Sequence, residues 1–278
     1  MSQYFMRFPE GRKKAVTLSY DDGVEQDMRL VEVMEKYGLK GTFNLNSGLF
    51  APEGTVYPAG QFYRRMTEKQ ITALFAGSGQ EVAVHSRTHP YLEQQPLSVA
   101  MTEILEDRKR LEQIFGMVVR GMAYPFGTYS DTLVEMLRAS GIVYARTVEE
   151  SEGFDLPADW LRLKPTCHHG NPHLTELVER FLDERVKAAP RLFYLWGHSF
   201  EFERDRNWDV IERFGGQIGG QEDIWYAANI EIHDYVEAYH RLIFSADGRL
   251  VHNPNAVAVW FELDGSLFCA APGATVKL

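Results

Sequence analysis

Two adjacent carboxylates at the end of an apolar run are the first residues in this chain that suggest chemistry. The stretch VTLSYDDG, residues 16–23, brings Asp21 and Asp22 up against Gly23. Successive side chains of a strand point to opposite faces, so both acids cannot remain in a buried ladder without one carboxylate meeting the core. The pair therefore belongs at a strand end. There Gly23 permits a turn that either opens both carboxylates into one cleft or leaves two solvated acids.

A second pair, His85 and His89 in VAVHSRTHPYL, follows another apolar run at a spacing of four. One helical turn, or a tight loop, puts both imidazoles on one face, whereas two surface histidines would be the plain alternative. Joined by one aspartate from another strand end, they make a three-ligand set with a position left open for water. That is the arrangement of a catalytic zinc; a purely structural zinc wants a fourth protein ligand. The other aspartate then sits beside the water as a base.

The elements that must position these residues follow from periodicity. AVTLSY, GTFNLN, QEVAVHS, VVRGMAYPFG, IVYARTV and RLFYLWGH read as strands. Between them, QDMRLVEVMEKYG, TEKQITALFAGSG, residues 96–115, SDTLVEMLRASG and HLTELVERFLDERVKA read as helices, with Gly38 and Gly141 at expected helix C-termini. DIWYAANIEIHDYVEAYHRLI follows the last strand. Strands alternating with helices predict an α/β fold with a parallel sheet, a barrel or an open layer, with ligand chemistry at the C-terminal strand ends. The tail VAVWFELDGSLFCAAPGATVKL has β-rich runs around DG and PG turn signals. Residues 1–245 are thus expected to form the catalytic domain, and 246–278 a small β extension packed on it.

Composition bounds the possibilities. A 278-residue chain with a net charge of −10 and no long Lys/Arg run is a poor match for nucleic acid or an anionic membrane. The opening MSQYFMRFPEGRKK lacks an apolar leader core, and no stretch approaches the ~18 apolar residues of a spanning helix, so a cytoplasmic protein is expected. Cys167 and Cys269 make no disulfide framework or thiol metal site and are expected to be buried and structural.

In order, SYDDG, HSRTH, AYPFG and LWGH resemble the successive motifs of the polysaccharide deacetylases, the NodB-homology proteins of carbohydrate esterase family 4, over residues 15–200. The resemblance implies a distorted (β/α) barrel of the NodB-homology type and a divalent-metal hydrolase that removes acetyl groups from sugars. It also implies Asp21 as catalytic base, Asp22, His85 and His89 as metal ligands, and His198 as general acid. The chemistry is self-consistent: a metal polarises the acetyl carbonyl and its bound water, Asp21 takes the water proton, and His198 protonates the departing amine or alkoxide. The backbone N–H of Phe126, in a turn with Tyr124, Pro125 and Gly127, is the implied oxyanion donor. Zinc suits the N/O ligands, with cobalt, nickel or manganese as alternatives.

The chain departs from the family pattern in two places. The motif normally reads Arg-x-Pro-aromatic-Gly, with the arginine on the catalytic aspartate, yet Ala123 stands at that position. Arg146, at the end of the next strand, is the expected substitute, with Arg120 as runner-up. FDLPADW, offering Asp155, Asp159 and Trp160, is also irregular, leaving Trp160 as a sugar-stacking wall or a core residue. Trp196 is expected in the floor of an acetyl pocket or in barrel packing, and His168, His169 and His173 in a loop that contacts substrate, with His168 foremost, displaces a fourth-ligand water, or is simply hydrophilic. Asn229 is a further cleft residue. The leading expectation is deacetylation of an N- or O-acetylated saccharide. Hydrolysis of a non-sugar amide on the same fold, and sugar binding without catalysis, are the alternatives.

Overall fold

The computed structural model describes residues 3–183 and 185–278. Met1, Ser2 and Glu184, the last inside the expected helix HLTELVERFLDERVKA, lie outside the described residues. Strands and helices alternate as β2 (Lys14–Asp21), α1 (Asp27–Lys36), β3 (Gly41–Leu45), α2 (Glu68–Phe75), β4 (Glu81–Val84), α3 (Leu97–Phe115), β5 (Gly121–Ala123), α4 (Asp131–Ala139) and β6 (Tyr144–Arg146), after a short β1 (Tyr4–Arg7). The chain continues through β7 (Cys167–His168), α5 (Leu174–Asp183), β8 (Arg191–Gly197), α6 (Ser199–Arg204), α7 (Asp209–Ile218), β9 (Ile224–Tyr226) and α8 (Asn229–His240). Five short strands close it: β10 (Ile243–Phe244), β11 (Leu250–His252), β12 (Val259–Leu263), β13 (Ser266–Ala270) and β14 (Thr275–Lys277).

The main sheet is parallel throughout, in the order β6-β5-β4-β3-β2-β8-β7, with β9 beside the first half of β2. It curls into a half-barrel, the NodB-type fold. All eight residues of β2 are buried, as both faces of a central parallel strand require. Helix ends follow local chemistry. Thr67 and Gln70 form a reciprocal capping box at the start of α2, Ser130 caps α4, and Gly38 and Gly141 take positive φ just past α1 and α4.

Parallel strands present one set of ends to one rim. On it lie Asp21 at the end of β2, His85 after β4, Arg146 at the end of β6, His168 at the end of β7 and His198 after β8.

Two small antiparallel sheets, β1-β12-β13 and β10-β11-β14, complete the molecule. Val251, Val259, Phe261 and Ala270 pack with Ala238 and Leu242 at the end of α8. The N-terminal strand therefore pairs with the C-terminal segment, in the register Tyr4 opposite Leu263 to Arg7 opposite Trp260, a long-range partnership that local pattern does not announce. One expectation is corrected: Cys269 is exposed on the edge strand β13, while Cys167 is buried. Ser199–Arg204 and Asp209–Ile218, which the sequence pattern left unassigned, form α6 and α7. Among the described residues, no helix is long and apolar enough to cross a membrane.

Candidate active site

The strand-end acids separate because the chain turns between them. Asp21 ends β2, and Asp22 follows at φ 85° with Gly23 at φ 66°, so the second carboxylate swings over the rim. Asp tolerates this left-handed backbone better than most residues. Asp21 is held at both oxygens: Asn44 Nδ2 donates to Oδ1 at 2.8 Å, and buried Arg146 donates to Oδ2. Burial opposes ionisation of Asp21, but Arg146, His85 and His198 outweigh it and bring its pKa down to about 2.

Asp22, His85 and His89 converge. His85 Nε2 and His89 Nε2 lie 3.9 and 4.0 Å from Asp22 Oδ1. The histidines sit on a tight loop with Ser86 at φ 61° and His89 at φ 57°, not on a helical turn. Left-handed residues of this kind cost about 1–3 kcal/mol each, and their clustering around one cleft fits a built site. His85 Nδ1 lies 2.8 Å from the Ala123 carbonyl, which can only accept. Nδ1 therefore carries the proton and Nε2 offers a lone pair to the cleft. Burial pushes the His85 pKa down to about 4 against the pull of Asp21 and Asp22, and burial lowers His89 too, so neutral imidazoles face the carboxylate. Two nitrogen lone pairs and one carboxylate fit a divalent metal with an open coordination position.

His198 follows β8 and caps α6, its Nε2 3.9 Å from Asp21 Oδ2. Burial alone would lower its pKa; Glu201, Asp21 and Asp22 reverse that and raise it above the ordinary value. Glu201 Oε2 lies 3.6 Å from His198 Nδ1, 3.0 Å from His168 Nε2 and 3.4 Å from His169 Nε2. Burial opposes ionisation of Glu201, but His168 and His198 hold it well below the usual carboxylate range. Gly197 is required here, because a Cβ would lie 2.0 Å from the His169 ring.

These groups open into a cleft of about 560 Å³. Tyr63, Tyr124, Phe126, Val148, Trp196 and Phe200 line its walls. Phe126 sits at φ 58° in the turn, its ring exposed and stacked on Tyr91 at 3.8 Å between centroids. Gly127, at φ 73°, has no room for a side chain against Val148. Trp196 lies under the Arg146 guanidinium, 4.4 Å from its ring centre.

The structure does not bring every expected residue to the cleft. Trp160 is edge-on to His233 in a separate cavity beside Arg120, so it is no wall of this site. Arg120 pairs with Asp234, and Asn229 hydrogen-bonds Thr17 and Tyr194 inside the barrel. Asp155 pairs with Arg191 and Asp159 with Arg162; Glu201 is the carboxylate beside His198. His168 reaches Glu201 and Trp196 and does not line the cleft, His169 is buried, and His173 is paired with Glu176. Asn44, Asn46, Arg65, Glu201 and Asp107, a buried carboxylate that accepts from the His85 N–H at 3.1 Å, escaped sequence reasoning. The signal for the first two was two asparagines in TFNLN, one inside the buried strand β3 and one just past it.

Among solved structures, the chain is similar to a candidate polysaccharide deacetylase from Mycobacterium smegmatis, at 16% identity and TM-score 0.58, over 84% of this chain and 93% of that one. It is also similar to a family 4 carbohydrate esterase from Streptomyces lividans in complex with acetate, at 16% identity and TM-score 0.50, over 77% of this chain and 92% of that one. These two likenesses establish the shared fold. A Streptococcus pyogenes deacetylase, PplD, in complex with acetate, matches at 24% identity and TM-score 0.42 over 48% of this chain, which spans 55% of that protein's length. No curated protein matches the chain. The family model described as polysaccharide deacetylase matches residues 9–145, the segment that carries Asp21, Asp22, His85, His89 and the Tyr124–Gly127 turn. Over residues 9–145 the chain matches the polysaccharide deacetylase family of hydrolases.

Proposed function

We propose that this protein removes N- or O-linked acetyl groups from a saccharide, with Asp21 as base, His198 as acid, and Asp22, His85 and His89 holding a divalent metal. The observation that carries this reading is the position of Asp21 Oδ2, 3.8 Å from His85 Nε2 and 3.9 Å from His198 Nε2. A carboxylate held ionised and an imidazole with raised proton affinity thus line one cleft beside the ligand triad. When bound, the metal supplies Lewis-acid polarisation of the acetyl carbonyl and activation of a water. Zinc matches the two imidazoles and one carboxylate best, with cobalt, nickel and manganese as competitors.

Asp21 accepts the proton of the attacking water, and Arg146 and Asn44 hold the carboxylate in the ionised form that this requires. His198, protonated, delivers its proton to the departing amine or alkoxide. The Phe126 N–H is assigned to the developing oxyanion, and Trp196 to the acetyl methyl, for which an apolar wall is suited. Exposed Tyr63, Tyr91 and Phe126 offer ring faces to a sugar at the mouth. Acetate release from acetylated chito- and xylo-oligosaccharides, set against a panel of simple acetamides, tests the reading. Turnover confined to the simple amides would refute the saccharide assignment.

A further inference from the structure

The ligand-bearing segments are tied to each other by two side chains outside the ligand triad. Asn46 is fully buried just past β3, between the strand that delivers Asp22 and the strand that delivers His85. Its Nδ2 donates to the backbone carbonyls of His85 and, at 2.9 Å, Ser86. Its Oδ1 accepts from Arg65 Nη1 at 2.7 Å. Arg65 in turn donates to the Asp22 backbone carbonyl and, through Nη2 at 3.1 Å, to Asp22 Oδ1. Only one orientation of the amide satisfies this network, since two carbonyls need a donor and a guanidinium needs an acceptor.

The strap meets the backbone where it is least relaxed. Asp22 and Ser86 both have positive φ, and Ser86 Oγ accepts from the His89 N–H at 3.1 Å, extending the chain of bonds to the third ligand. We propose that Asn46 and Arg65 are positioning residues that hold Asp22, His85 and His89 at ligating geometry before any metal arrives, and so set the metal affinity of the site. The inference rests on the proposed metal triad. Ordering three ligands during folding removes that cost from the binding step, and supporting partners of metal ligands typically change affinity by about 10–100-fold when lost.

Arg65 also sets a positive charge beside the metal ligand Asp22. The strap and this charge act in opposite directions on a cation, which makes the test decisive. Zinc affinity is measured by competition titration on the parent, Asn46→Asp and Arg65→Met, using the folded fraction defined by thermal melting of each metal-free protein. Asn46→Asp keeps the contact with Arg65 but sets a carboxylate against two backbone carbonyls. The proposal predicts one zinc per parent chain and a Kd about 10–100-fold weaker in both variants. A cobalt-loaded visible spectrum altered in Asn46→Asp would accompany it. Lower melting temperatures with an unchanged Kd would reduce the strap to a fold-stabilising contact and overturn the proposal. Tighter binding in Arg65→Met would overturn it by showing that charge repulsion dominates. A parent that binds no zinc would overturn the metal reading and the strap together, whereas a parent that binds zinc normally beside unaltered variants would overturn the strap alone.

Discussion

Arg146 and Asp21, 125 residues apart in sequence, meet through a guanidinium–carboxylate hydrogen bond that is buried on both sides. The contact joins the ends of β2 and β6, strands separated in the sheet by β3, β4 and β5, so only the curl of the half-barrel brings them together. Ala123 stands on β5, beside β6, and cannot make this bond. The arginine is thus supplied one strand away from the position where the family motif carries it.

Replacing Arg146 tests that substitution of roles. Arg146→Lys keeps a charge but loses the planar fork, and kcat is expected to fall about 10–100-fold with metal content unchanged. Removing the charge altogether, as in Arg146→Met, leaves a buried carboxylate unpaired and should cost about 3–5 kcal/mol of stability in denaturant titrations. An Arg146→Lys enzyme with parental kcat would rule out a catalytic contribution.

Glu201 governs the proton on His198. Because Glu201 raises the His198 pKa, Glu201→Gln should lower it. With His198 as the proposed acid, activity is expected to be lost as pH rises through its pKa, so the basic limb of the rate profile should move to lower pH in the variant. A basic limb that stays in place would dissociate Glu201 from the acid.

The gathering of the candidate residues in one cleft was legible because they sit at strand ends, where a sequence pattern changes abruptly. Asp21, Asp22, His85 and His198 each follow an apolar run, and the parallel order of the strands gathers their ends on one rim. Other features resist reading because they depend on partners far apart in sequence. Glu201 reaches His198 from the first turn of a helix that sequence reasoning missed, and Arg65 meets Asp22 from a loop without periodicity. Trp160 misled for the same reason. An aromatic residue near a motif carries no information about which side of a sheet it faces, and it packs beside His233.

Trp160 and Trp196 should therefore behave differently under substitution. Trp160→Phe is expected to leave KM and kcat for an acetylated oligosaccharide unchanged. Trp196→Phe should alter them, since Trp196 lines the cleft and stacks on Arg146. Steady-state kinetics on both variants decides this, and a raised KM confined to Trp160→Phe would contradict the placement.

A stability prediction concerns the opposite end of the sheet. Glu81 is buried, accepting from Thr42, Tyr144 and the Ile230 N–H, and burial outweighs these bonds to push its pKa up to about 7. A carboxyl raised in the folded state gives stability that is complete below its unfolded pKa and lost as pH rises through the folded one. Glu81→Gln, which stays neutral, should gain on the parent between about pH 5 and pH 8, by at most about 3 kcal/mol. Melting curves across that interval check it; a difference that is flat with pH would count against an ionising Glu81.

The most direct measurement is metal content by elemental analysis together with acetate release from acetylated chito- and xylo-oligosaccharides, on the parent and on Asp21→Asn. Asp21→Asn removes the base and leaves Asp22, His85 and His89 intact. The account predicts equal metal in both proteins and acetate release from the parent alone. Acetate release by Asp21→Asn at the parental rate, with metal bound, would contradict the assignment of the base and the mechanism built on it.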